Sequence, residues 1–115
     1  MHFSAKARYI RFSPFKLRPL VDAIRGKGAQ YALRFLGTNS IKRVDPIKKV
    51  IESAVANAKS LANVDLADLK IKKIWVDQGP SIRYFRPGAM GRSNLYKKRF
   101  SHINVVLEHI DKKEA

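Results

Sequence analysis

The sequence contains no cysteine. That excludes disulfides and thiolate-held metals, and it fits a reducing compartment. Acid is scarce, with 9 Asp and Glu against 24 Lys and Arg. The acids are dispersed, and Asp22, Glu52 and Asp77 have basic neighbours, so no acid–base pair or nuclease-type metal cluster is proposed by the sequence. His2, His102 and His109 have no metal-ligand spacing. A phosphate-cradling loop is not supported either, because no Walker pattern or glycine-rich turn opens a helix. No apolar run is long enough to cross a bilayer, and MHFSAKARYIRFS lacks the continuous apolar core of a secretory signal. Internal repeats and low-complexity tracts are absent. The reading is therefore of no enzyme, no cofactor, no metal, no membrane and no small-molecule substrate.

What remains is charge and a modest core. The formal net charge is +15 over 115 residues, of which 45% are hydrophobic. That length points to one domain, 1–115, able to bury a core. The charge points to a polyanion, nucleic acid before anionic membrane.

The stretch from Gly79 to Phe100 holds Arg83, Arg86, Arg92, Lys97, Lys98 and Arg99 and no acid. Its apolar residues have neither helical nor clean strand spacing, so no one face seals a core. Gly79-Pro80 and Pro87-Gly88 are turn or breaker pairs. Strand-like runs flank it. The expected geometry is a β-ribbon arm, about 77–102, turning near Pro87 to Gly91. A leg from Val76 to Ala89 would span roughly 40 Å. Such a ribbon is marginal alone in water, and its like charges call for a polyanion.

Before the arm, Phe3 to Phe12 alternates as a short basic strand. Ser13-Pro14 reads as N-cap and first helical residue, followed by the stripe Leu17, Leu20, Val21 and Ile24, with a kink or frayed turn expected at Pro19 and a stop at Gly26. Through Pro19 this segment carries Lys6, Arg8, Arg11, Lys16 and Arg18 and no acid. Ala29 to Leu36 is a short helix, with Tyr31 or Ala32 facing inward beside Leu33, Phe35 and Leu36, and Gly37 ending it. The best-patterned helix carries Ile47, Val50, Ile51, Ala54, Val55, Ala58 and Leu61 on one stripe, started by Asp45-Pro46 or from Ser40. One helical turn can begin at Asp65. Ile71 to Val76 alternates imperfectly, as a strand covered on both sides would. Ile103, Val105 and Leu107 alternate cleanly. The predicted fold is α+β: three helices packed on a small three-stranded antiparallel sheet, with a long protruding β-hairpin.

The predicted RNA contacts are Lys6, Arg8, Arg11, Lys16, Arg18, Arg83, Arg86, Arg92, Lys97, Lys98 and Arg99. Arginine pairs a phosphate through two hydrogen bonds, whereas lysine acts as a mobile point charge. A solvated basic surface is the plain alternative. Tyr84, Phe85, Tyr96 and Phe100 either stack on unpaired bases or pack across the ribbon. Trp75 reads as core or body–arm packing, Asp77 as a fixer of the arm's base, and His102 as an RNA or backbone contact. Gly79, Gly88 and Gly91 allow positive φ or close approach to RNA.

Four segments in the same order, ARYIRFSPFKLRPLVDAIRGK, KKVIESAVANA, VDQGPS and GRSNLYKKRFSHINVV, span nearly the whole chain. They closely resemble the bacterial form of the universal large-subunit ribosomal protein twenty-two family. The resemblance implies a body on ribosomal RNA near the exit of the nascent-chain tunnel, in cytoplasmic or organellar ribosomes. It also implies a role in subunit assembly, neighbouring large-subunit proteins as partners, and a hairpin tip in the tunnel wall beside the nascent peptide. Carried over by position, the tip is Phe85, Arg86, Pro87, Gly88, Ala89, Met90, Gly91 and Arg92. The family's pattern is Pro-Arg-Ala-x-Gly-Arg with a basic x common. Gly88 and Met90 depart from it and leave the tip with less charge, which Arg86 partly restores. The rival classes are a free nucleic-acid-binding regulator or RNA chaperone, which needs dimer symmetry or a reading helix, and a basic nuclease.

Overall fold

A computed structural model describes residues 2–87 and 93–110, and for 82–87 and 93–97 the backbone alone. The order is β1 (His2–Ile10), α1 (Pro14–Ile24), α2 (Ala29–Thr38), α3 (Val44–Ala62), one 3-10 turn (Leu66–Asp68), β2 (Leu69–Pro87) and β3 (Ser93–His109). The sheet is antiparallel with order β1-β3-β2. The α+β architecture expected from the sequence is present.

Three cross-strand rows make the buried face of the sheet. They are Phe3–Leu107–Ile71, Ala5–Val105–Ile74 and Ala7–Ile103–Val76. Leu17, Val21 and Ile24 of α1 and Ile47, Val50, Ile51, Ala54 and Ala58 of α3 join the same core. Each fully buried Leu or Ile contributes about 1.5–3 kcal/mol relative to exposure.

The imperfect alternation of β2 has a different cause from the one predicted. Ile71 pairs with Leu107, but Lys73 pairs with Val106, so β2 carries one extra residue there. This bulge switches the inward parity from Leu69 and Ile71 to Ile74 and Val76. From Leu69 to Val76 the strand is covered on one face only. Trp75 accordingly points out of the core, 39% exposed, and its indole N–H donates to Asp77 Oδ2 at 3.2 Å.

The helices begin and end close to the predicted signals. Ser13 caps α1 through its carbonyl, which accepts the amides of Lys16 and Leu17; its hydroxyl makes no capping bond. Pro19 is exposed within α1, which runs unbroken from Pro14. Gly26 adopts φ +78, the left-handed stop that glycine accepts without strain. In α2, Gly37 does not end the helix, which continues to Thr38, and Ala32 is buried where Tyr31 is half-exposed. In α3 the first turn starts at Val44, ahead of Asp45-Pro46, because Val44 is itself buried. Leu61 is 77% exposed, since burial along the stripe stops at Ala58.

Both edge strands are protected by helix side chains. On β2, Arg25 donates through Nε and Nη2 to the Ile74 carbonyl at 3.2 and 3.0 Å. Arg18 donates to the Val76 carbonyl at 3.4 Å, and the Ile71 amide donates to the Lys27 carbonyl at 2.9 Å. On β1, Asn57 donates to the Ser4 carbonyl at 3.0 Å.

Beyond Ile10↔Ser101, β1 ends and the sheet narrows to two strands. These run paired from Ser81↔Arg99 to Pro87↔Ser93. The molecule extends 68 × 25 × 18 Å, with a radius of gyration of 17.5 Å; a compact chain of this length would have about 13 Å. The difference is the hairpin.

Candidate nucleic-acid interface

The root of the hairpin is built by two one-residue misfits in register. Four residues of β1, from Ala7 to Ile10, match three of β3, from Ile103 to Ser101. Tyr9 sits at the bulge with φ +59, and its amide donates to His102 Nδ1 at 3.1 Å. On the other side, Gln78 to Ser81 match Ser101 to Arg99, again with one extra residue. A Cβ on Gly79 would lie 2.9 Å from the Phe100 carbonyl oxygen. The close approach permitted by Gly79 is therefore to the chain's own return strand. Asp77 ties the two strands together: Oδ2 accepts from the Trp75 indole and from Asn104 Nδ2 at 3.1 Å. The fixing role expected of Asp77 is met.

Against this root lies a cleft of about 360 Å³ lined by Arg11, Ser13, Lys16, Lys98, Arg99 and Phe100. Its walls come from three elements: the link after β1, the first turn of α1, and β3 where it leaves the three-stranded sheet. The buried Ser101 hydroxyl donates to the Phe12 carbonyl at 2.5 Å, pinning the link to β3. Four cations and no acid line this space. Their mutual repulsion works against assembly, and a phosphate would reverse its sign. Phe15 lies beside it, 64% exposed. The guanidinium groups of Arg18 and Arg99 lie 5.5 and 5.9 Å from the centre of its ring, within the range of cation–π attraction.

A second hollow lies on the helix-free face of the sheet, lined by Lys6, Arg8, Tyr9, Asp77, His102 and Asn104. His102 is a structural contact here, through the Tyr9 amide and an edge-on ring packing at 5.1 Å.

Along the ribbon the backbone register sets Arg83 opposite Lys97 and Arg86 opposite Asn94. Like charges in direct register destabilise a ribbon in water. Tyr84 is paired with Tyr96 and Phe85 with Leu95. Of the tip residues, Phe85, Arg86 and Pro87 close β2, whereas Gly88, Ala89, Met90, Gly91 and Arg92 lie outside the described residues.

The predicted contacts thus fall into three groups. Arg11, Lys16, Lys98 and Arg99 meet in the cleft, Lys6 and Arg8 on the open sheet face, and Arg83, Arg86 and Lys97 along the ribbon. Arg18 is committed to the Val76 carbonyl and the Phe15 ring. Reading the sequence missed Phe15. The available signal was its position two residues before Leu17, off the apolar stripe and among cations. Among the described residues, no group of three or more His, Asp or Glu side chains is placed to hold a metal ion, and no helix is long and apolar enough to cross a membrane.

Fold and surface define a class: a small basic α+β protein with a two-stranded arm and a cationic cleft at its root, suited to a phosphate backbone. The family model described as Ribosomal protein L22p/L17e matches residues 5–108. Three relatives named Large ribosomal subunit protein uL22 are similar over 90% or more of their own length. The one from Desulfitobacterium hafniense (strain Y51) is 46% identical over 96% of both chains. That from Desulforamulus reducens is 45% identical over 100% of both. That from a Synechococcus species is 43% identical over 96% of this chain and 90% of its own. The chain belongs to the L22p/L17e ribosomal protein family.

Proposed function

We propose that this protein is a structural constituent of the large ribosomal subunit, binding ribosomal RNA and supporting subunit assembly rather than catalysing a reaction. Its relatives carry that subunit's name, and RNA binding is general to the family. The body lies on ribosomal RNA among neighbouring large-subunit proteins. The ribbon reaches inward, and its tip, Phe85 to Arg92, lines the nascent-peptide exit tunnel and touches the passing chain. The ribosomes concerned are those of the cytoplasm.

One observation carries this reading. A ribbon that runs on past the end of β1, and sets Arg83 opposite Lys97 in register, carries six cations and no acid between Gly79 and Phe100 and so lacks charge balance of its own. Folded RNA supplies that balance through phosphate neutralisation, in a channel recognised by shape. A free regulator would need a reading helix, and α3 buries its apolar stripe in the core.

Two measurements test the proposal. In a sedimented cell extract the protein should travel with large subunits, and crosslinks from Arg86 and Arg92 should map to ribosomal RNA and to nascent chains. A protein that stays in the light fraction contradicts it.

A further inference from the structure

We infer that the cleft at the arm's root, together with Phe15, is a two-part site for one unpaired nucleotide of RNA: the phosphate enters the cleft, and the base stacks at Phe15. The inference rests on the RNA-binding reading above and adds a position and a mode to it.

Phe15 is the one exposed aromatic among the described residues that combines three features. It is 64% exposed, it has no polar atom to justify that exposure, and it is flanked by two guanidinium groups at 5.5 and 5.9 Å. Tyr9 and Trp75, by contrast, pack against His102 and bond to Asp77, and Tyr31 stacks on Phe35. Leu17, two residues on, is wholly buried, so the helix turns Phe15 away from the core by construction.

The neighbouring chemistry gives the ring a purpose. Arg99 both lines the cleft and lies over Phe15, so a phosphate held by Arg99 would bring its own base within reach of the ring. Arg18 is fixed from behind by the Val76 carbonyl. A base in this place would lie against an aromatic ring and planar guanidinium groups, the surfaces that unpaired bases stack on. Because every base has a π-face, the site would select single-stranded over paired nucleotides with little preference for base identity.

The test uses the full chain and two short RNA strands of equal length and charge, one mixed in sequence and one abasic. Wild-type protein should prefer the strand with bases. Phe15→Ala should reduce that preference by about 5- to 150-fold, the equivalent of one stacked base, with the salt dependence and melting temperature unchanged. Phe15→Trp should retain the preference. If Phe15→Ala leaves the preference intact, or weakens both strands equally, stacking is refuted while RNA binding stands. If neither strand binds with salt dependence, the RNA-binding reading fails first, and this inference with it.

Discussion

Replacing Gly79 with alanine probes the joint on which the hairpin depends. The added methyl would stand 2.9 Å from the Phe100 carbonyl oxygen, 3.1 Å from its carbonyl carbon and 3.2 Å from its Cβ. Two of these are backbone atoms of the paired strand, so no side-chain rotation relieves the contact, and β2 and β3 must separate. Overpacking of this kind costs about 1–3 kcal/mol. Alanine recovers about 0.4–1 kcal/mol by restricting the unfolded chain, leaving a net loss centred on about 1.3 kcal/mol. For a domain of this size that is a fall in melting temperature of roughly 5 °C. Gly37→Ala is the control. Gly37 lies within α2 with nothing within 4 Å of an added Cβ, and alanine there should stabilise by about 0.5–1 kcal/mol. Thermal unfolding followed by circular dichroism measures both. Amide exchange should also accelerate near Gln78 and Ser101 in Gly79→Ala alone. A Gly79→Ala protein that melts at or above the wild-type temperature refutes the close approach at the root.

Three further outcomes follow from the same contacts. Asp77→Ala removes the acceptor of two hydrogen bonds, one from the buried Asn104 amide; chemical denaturation should show a loss of about 1–3 kcal/mol. Ser101→Ala leaves the Phe12 carbonyl without its donor, and should lower stability by about 1 kcal/mol while weakening RNA binding through the loosened cleft wall. Deleting Arg86 to Arg92 should leave the body's cooperative melting in place, because the core lies in the helices and the three-stranded part of the sheet; loss of that transition would make the arm part of the core.

Much of this fold was legible because its elements obey simple periods. The stripe Ile47, Val50, Ile51, Ala54, Ala58 and the alternation Ile103, Val105, Leu107 each described one buried face. The parity change in β2 was visible too, but not its cause. A bulge depends on the partner strand as well as on the bulged one, and Lys72 is extra only relative to the pairing with Leu107 and Val106. The edge-strand contacts of Arg18 and Arg25 were hidden for a similar reason: local sequence does not tell which carbonyl of a distant strand the fold sets beside a cation. The cleft required three segments far apart in sequence to converge. Its cations were each predictable from local charge density, but their meeting, and the exposed ring between two of the arginines, belonged to the tertiary structure.

The central claim is that RNA phosphates balance the arm's charge. It is tested most directly by the salt dependence of binding to the protein's ribosomal RNA fragment, compared between the wild-type chain and one with Arg83, Arg86, Arg92, Lys97, Lys98 and Arg99 changed to glutamine. If all six neutralise phosphates, the log–log slope should become shallower by about 4, at roughly 0.7 per contact for single-strand-like counterion release. An unchanged slope would contradict the account.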